Sequence, residues 1–161
     1  MKLNIAVLPG DGIGPEVIVQ AVKVLKAIAM EFNHIFTFQK ALVGSSAIDK
    51  TGSPLPEETI SICKKADAVL FGAIGDTKYD EDPDAKIRPE QGLLGIRKEL
   101  DLYTNIRPII AYEDLLSKSS LKIKQIKDTN ILIYRELTGG IYFGKRHLSK
   151  DGNTASDTCE Y

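Results

Sequence analysis

Cysteine, histidine, long apolar runs and net charge are all scarce in this chain, and each scarcity narrows what it can do. The two cysteines, Cys63 and Cys159, stand apart, with no CxxC spacing and no histidine cluster beside them. This fits two buried thiols in a reducing compartment better than a disulfide framework, with a catalytic thiol as the lesser alternative. His34 and His147 have no partners at ligand spacing, so metal binding through histidine is not expected. The longest strongly apolar run, Ala68 to Ile74, is far too short to span a bilayer, and Met1-Lys2 leads straight into a strand-like segment. A cytoplasmic protein with no membrane partner is expected. The 21 basic and 22 acidic residues leave a net charge of -1, so no overall field attracts nucleic acid.

What is present is the material of a folded protein. Apolar residues make up 43% and charged residues 27% of 161 positions, enough for one domain or for pieces of two. Leu3 to Leu8 reads as a buried strand running into Pro9-Gly-Asp-Gly-Ile-Gly14, and Pro15 suits the first turn of a helix. Val17, Ala21, Val24, Leu25, Ile28 and Phe32 would give that helix an apolar face. The glycines spell G-x-G-x-G rather than the dinucleotide fingerprint G-x-G-x-x-G, and no acidic residue ends the second strand. The turn therefore fits close helix–strand packing, a ligand-facing loop, or both. Ile35 to Val43 predicts a second strand, 44–56 a loop, Pro56 to Lys65 a helix and Asp67 to Phe71 a third strand. Strands alternating with helices imply an α/β fold with a largely parallel sheet covered on both faces.

After Gly72-Ala-Ile-Gly75 comes a charged, proline-containing loop from Asp76 to Pro89. It follows the carboxyl end of a strand, where α/β proteins place ligands, although a plain surface excursion has the same composition. A helix over Gly92 to Leu100 would set Leu93, Arg97 and Leu100 on one face, with Arg107 in the strand that follows. Two converging guanidiniums beside Leu93 and Leu94 describe a pocket for a branched acid, since arginine holds a carboxylate through two parallel hydrogen bonds. An amphipathic helix with solvated arginines is the plainer alternative. The Lys/Ser stretch from Leu116 to Lys127 is expected at the surface, Asn130 to Arg135 as another buried strand, and Lys150 to Asn153 as a hairpin-like turn. Gly139 to Lys145 satisfies part of a phosphate-loop pattern, but Arg146 replaces the hydroxyl that would bind Mg²⁺ and the interior is too bulky.

Taken together, Leu8-Pro-Gly-Asp-Gly-Ile-Gly-Pro-Glu-Val17, Gly72-Ala-Ile-Gly75, Arg88-Pro-Glu-Gln-Gly-Leu-Leu94 with Ile96-Arg97, Asn105-Ile-Arg-Pro108 and Arg135-Glu-Leu-Thr-Gly-Gly-Ile-Tyr-Phe-Gly144 resemble the β-decarboxylating dehydrogenases. These pieces occur in order across nearly the whole chain. The resemblance implies an isocitrate/isopropylmalate dehydrogenase-like two-domain α/β fold, not the Rossmann one, incomplete at the C-terminus. Residues 1–100 would be the first half of a large domain, and 101–161 the start of a smaller, dimer-forming domain.

The resemblance also assigns roles. Arg97, Arg107 and Arg135 would bind the malate carboxylates, with Leu93, Leu94 and Glu90 completing the substrate site. Tyr142 would be the acid that protonates the enol carbon. NAD would meet Ile13, Gly75 and the run Thr77, Lys78, Tyr79, Asp80, Glu81, Asp82, Pro83, Asp84, Ala85, Lys86, Ile87, Arg88, Pro89 and Glu90. Asp76-Thr77-Lys78 departs from the family's more usual Gly-Pro-Lys. An isocitrate carboxylate against Leu93 and Leu94 would be an unpaired charge costing several kcal/mol or more, whereas an isopropyl group gains roughly 25 cal/mol per Å² buried. The implied substrate is 3-isopropylmalate in leucine biosynthesis, and the implied assembly a homodimer. Relatives acting on malate, tartrate or homoisocitrate, or a non-catalytic ligand-binding subunit, are the alternatives. The family's lysine base and its aspartate ligands for Mg²⁺ or Mn²⁺ would fall beyond Tyr161. The chain is thus expected to be a truncated protein, inactive alone and prone to aggregate or recruit a partner.

Overall fold

A continuous apolar run, Ile5 to Leu8, makes Lys2–Gly10 the central strand, β1, in the computed structural model, which describes residues 1–81, 85–137, 139–140 and 143–160. Two compact units divide the chain, Met1–Leu100 and Asp101–Tyr161. In the first, β2 (Ile35–Lys40) and β3 (Ala68–Ala73) flank β1 in the order β2-β1-β3, both parallel to it. Because successive side chains point to opposite faces, Ile5 and Val7 serve one side of the sheet and Ala6 and Leu8 the other. Helix α1 (Gly14–Glu31) covers the first side, where Ile18, Val22 and Leu25 pack with Ile5, Val7 and Phe38. On the second side Ala6 and Leu8 meet Val43, Cys63 and Ile96, the last two from α3 (Glu57–Lys65) and α5 (Glu90–Glu99). The expected parallel sheet with two covered faces is therefore present.

Three expectations need correction here. The inward stripe of α1 is Gly14, Ile18, Val22 and Leu25, while Val17, Val24, Ile28 and Phe32 are exposed. Both stripes are apolar, so periodicity does not choose between them. Gly14 does: a Cβ there would overlap the Pro9 carbonyl oxygen, so only glycine lets the helix start this close to the strand. The segment 44–56 is not all loop, since Ser45–Thr51 forms a helix, α2, ended by Gly52 in the left-handed region at φ 74°. Its sequence shows no cap of its own because the capping group comes from Asp11. Finally, only Cys63 is a buried thiol, its pKa raised by that burial, whereas Cys159 is exposed.

The second unit is built on an antiparallel ribbon, β4 (Thr104–Ile110) with β5 (Asn130–Glu136), in register from Thr104 opposite Glu136 to Ile110 opposite Asn130. A 3₁₀ turn, Glu113–Lys118, and a short helix, α6 (Ile123–Ile126), join the two strands and bury none of their residues, as expected of a surface segment. The strand over 130–135 forms, but every residue of β5 is exposed rather than buried. Ile131, Leu132 and Ile133 mark a strand that suits cover without specifying what supplies it. A hairpin of β6 (Arg146–Leu148) and β7 (Ala155–Asp157) encloses the turn expected at Lys150 to Asn153.

Close packing of β1 on β3 yields a test. A Cβ at Gly72 would overlap the Pro9 carbonyl oxygen, which is backbone, whereas one at Gly95 would meet only the Leu55 Cδ2 methyl at 2.9 Å. Gly72→Ala should destabilise by about 1–3 kcal/mol, as overpacking does, and Gly95→Ala by clearly less. Thermal midpoints of the two variants check this, and equal values would show that the strand contact is not tight.

Candidate active site

The carboxyl ends of β1 and β3 lie side by side: Gly10 is opposite Ala73, and the Asp11 N–H donates to the Ala73 carbonyl at 2.7 Å. Open α/β sheets bind ligands outside such strand ends. Asp11 itself is 5% exposed, and its carboxylate accepts three backbone N–H bonds. Ser45 and Gly75 donate to Oδ2 at 2.8 and 3.2 Å, and Ser46 donates to Oδ1 at 3.0 Å. Two of these donors are the first N–H groups of α2, so a side chain 34 residues upstream caps that helix. Gly44, at φ 75°, permits the approach, because a Cβ there would overlap Asp11 Oδ2. Each buried N–H left without this acceptor would cost about 1–3 kcal/mol.

From Gly75 the chain enters a short helical turn, α4 (Thr77–Asp80), capped by Asp76, whose Oδ1 accepts from the Lys78 N–H at 3.2 Å. Asp76 Oδ2 accepts from the Ser45 hydroxyl at 2.8 Å. The Ser45 bond, then the Lys78 N–H, holds the Asp76 carboxyl below the usual carboxylate range. Lys78 Nζ lies 2.7 Å from each carboxylate oxygen of Asp49 and 5.1 Å from the centre of the Tyr79 ring. Hydrogen bonding to Asp49 raises the Lys78 pKa, and loss of solvation raises that of Tyr79. Farther along, Arg88 Nη1 donates to the Tyr79 carbonyl at 2.8 Å. Asp76 is thus used twice, as helix cap and as acceptor for Ser45.

The residues singled out in the sequence fall as follows. Ile13 is exposed in the turn after β1, and Gly75 sits at φ 130° with its Cβ position 3.5 Å from Glu90 Oε1, so glycine turn, loop and Glu90 lie together. Thr77, Lys78, Tyr79 and Asp80 form α4, followed by Glu81. Asp82, Pro83 and Asp84 lie outside the described residues. Ala85, Lys86, Ile87 and Arg88 lead into α5 through a buried Pro89. On α5, Leu93, Leu94 and Arg97 are half-buried, and Leu93 and Arg97, four residues apart, share a face.

In the second unit Asn105 stands opposite Arg135, and Arg107 lies two residues along β4, its Nε donating to Asn105 Oδ1 at 2.7 Å. A period of two places Arg107 and Arg135 on the same face of the ribbon. Tyr142 lies outside the described residues. The sequence reading missed Ser45 and Asp49, which sit in what reads as a loop. An aspartate between glycines at a strand end was the available signal, since such a carboxylate accepts nearby N–H groups.

The edge formed by Gly12, Gly75 and the 75–81 segment presents backbone to a ligand. At Gly75 the positive φ and missing Cβ let a ligand approach the backbone. Among the described residues no group of three His, Cys, Asp or Glu side chains is placed to hold a metal ion.

Comparison with known proteins identifies the family. The family model described as isocitrate/isopropylmalate dehydrogenase matches residues 4–161. The chain is 51% identical over 161 residues to a 3-isopropylmalate dehydrogenase of Bacteroides fragilis, covering 100% of this chain and 45% of that protein. It is 52% identical over 165 residues to the 3-isopropylmalate dehydrogenase of Bacillus subtilis, again covering 100% of this chain and 45% of the relative. Isocitrate dehydrogenase from Methylococcus capsulatus superposes with a TM-score of 0.77 at 28% identity, covering 98% of this chain and 42% of that one. A β-decarboxylating dehydrogenase from Thermococcus kodakarensis superposes with a TM-score of 0.65 at 35% identity, covering 98% and 40%. The chain therefore spans less than half the length of the curated relatives it matches.

The Ser45 bond to Asp76 has a titration consequence. A carboxyl held below its ordinary pKa adds stability above that ordinary value and loses it as pH falls through the lowered one. In Ser45→Ala the Asp76 carboxyl should titrate at higher pH, nearer an ordinary aspartate. Carboxyl ¹³C NMR checks this, and an unmoved titration would remove Ser45 as its cause.

Proposed function

Because the chain belongs to the isocitrate/isopropylmalate dehydrogenase family, we propose that the complete protein oxidises and decarboxylates 3-isopropylmalate to 2-oxoisocaproate, with NAD as oxidant, in leucine biosynthesis. The observation that carries this reading is α5, where Leu93 and Leu94 lie beside Arg97. A guanidinium next to an apolar seat suits a malate with a hydrocarbon branch. Isocitrate would set a third carboxylate against those leucines, uncompensated, at a cost of several kcal/mol.

In this reading Arg97, Arg107 and Arg135 bind the malate carboxylates, each as a planar fork that fixes orientation as well as charge. Tyr142 delivers a proton to the enol carbon once carbon dioxide has left. Ile13, Gly75, Glu90 and the 77–90 segment, with Glu90 beside Gly75, position the cofactor and keep water from the reacting carbon. The chemistry that NAD would supply when bound is an acceptor for the hydride leaving C2 of the substrate. The lysine base and the ligands for Mg²⁺ or Mn²⁺ belong to residues that these 161 do not contain. Residues 1–100 form part of the larger domain, 101–161 begin the smaller one, and two copies associate.

Kinetics of the complete protein test the proposal. Among 3-isopropylmalate, isocitrate, malate, tartrate and homoisocitrate, kcat/KM should be highest for the first. Exclusion of a misplaced carboxylate should separate it from isocitrate by roughly 100-fold or more. Arg97→Lys should lower kcat/KM by about 10- to 100-fold, the loss of one charged bidentate contact. A preference for isocitrate would overturn the substrate assignment. Residues 1–161 alone, purified away from any host enzyme, should show no turnover, and measurable NAD reduction by them would contradict the placement of the base and metal ligands elsewhere.

A further inference from the structure

The segment proposed to meet NAD is held by a helix that the cofactor reading does not use. Ser45 and Asp49 are four residues apart on α2, so their side chains share one face. Both bonds from that face run to the same short stretch: Ser45 Oγ to Asp76, and Asp49 to Lys78 Nζ with two 2.7 Å contacts. Lys78 Nζ also approaches Asp76 Oδ2 at 3.8 Å, which closes a ring of four side chains between helix and loop. The helix is not free to drift, because Asp11 caps its first turn and binds the Gly75 N–H with the same carboxylate. Gly75, Asp76 and Lys78 are thus tied in succession by Asp11, Ser45 and Asp49.

A solitary surface ion pair contributes little, because solvent screens it and two long side chains must be ordered. This arrangement differs in that the ordered object is backbone. Three ties within four residues fix where the Gly75 and Thr77 peptide groups point, and a ligand that reads peptide groups binds better when their ordering has already occurred.

We propose that Ser45 and Asp49 are positioning residues that hold the loop beginning at Gly75 in the conformation that receives the cofactor. The inference rests on the reading that this loop contacts NAD. Ser45 and Asp49 act only through Asp76 and Lys78, and neither touches the reacting atoms.

Two measurements on the complete protein separate the inference from the reading beneath it. Tryptic cleavage after Lys78, normalised to cleavage elsewhere in the chain, reports whether Asp49 holds the loop. Equilibrium dialysis with NAD reports whether the loop serves the cofactor. Asp49→Asn keeps the size of a half-exposed side chain and should leave the thermal midpoint near that of the parent. It should speed cleavage after Lys78 and weaken NAD binding, each by roughly 2- to 5-fold, as expected when an exposed ion pair lets go. KM for NAD should rise in proportion, with kcat at saturating NAD unchanged, and Asp49→Glu should restore most of both losses. Cleavage no faster than in the parent would show that Asp49 does not hold the loop, and would sink the inference while leaving the cofactor reading intact. Faster cleavage with unaltered NAD affinity would show that the loop does not serve the cofactor, and both would fall together.

Discussion

The carboxylate of Asp11 is the interaction on which the candidate site depends. It stands at the end of the central strand and accepts from Ser45, Ser46 and Gly75, so it joins three stretches that are far apart in sequence. A carboxyl group that is nearly buried is tolerable only when its lone pairs are satisfied, and here backbone donors satisfy them. The same bonds supply the cap that α2 lacks locally and fix the first residue of the loop after β3. One aspartate thus sets helix, loop and strand end relative to one another; Gly44 makes room for its carboxylate, and Gly75 supplies a backbone conformation, φ 130°, that side chains rarely adopt.

Sheet and site are coupled through that junction. The central strand divides its side chains between two cores, one under α1 and the other under α3 and α5. Burial on both faces locks the strand, and a locked strand carries its terminal aspartate to a defined place. Ile96 anchors α5 in the second core, so its neighbours Leu93, Leu94 and Arg97 inherit their orientation from packing rather than from any ligand. Rigid elements carry the polar groups, and the loop between them is held by side-chain bonds.

Much of this was legible in the residues. Apolar runs, helical spacing and turn signals locate β1, β3, α3 and α5, because local pattern and tertiary burial agree there, while the ribbon strands are legible from composition alone. The family motifs pointed to the strand-end edge where Gly75 and Glu90 now stand together. The failures have one shared cause, which is dependence on distant partners. The sequence of α2 reads as loop because its cap is Asp11, outside any local window. The apolar face of α1 reads one position off because both stripes are apolar and a glycine contact chooses between them. The sequence of β5 reads as buried because Ile131, Leu132 and Ile133 suit a covered strand, and sequence pattern does not reveal what covers it. Ser45 and Asp49 fit no motif of their own, and the one signal that points toward them lies at Asp11, because their importance comes from what α2 faces.

The pairing of β4 with β5 carries a further implication for fidelity. Arg107 and Arg135 reach one side of the ribbon only because Asn105 pairs with Arg135. Sliding either strand by a single residue would send one guanidinium to the opposite side, yet would leave the apolar count of the ribbon almost unchanged, since isoleucine and leucine occupy both sides. Hydrophobic burial alone is therefore a weak guardian of this alignment. The correct alignment must instead be secured where the strands begin and end, by bonds such as Ala111 N–H to the Thr129 carbonyl and Leu137 N–H to the Tyr103 carbonyl, which clamp the ribbon at both extremities.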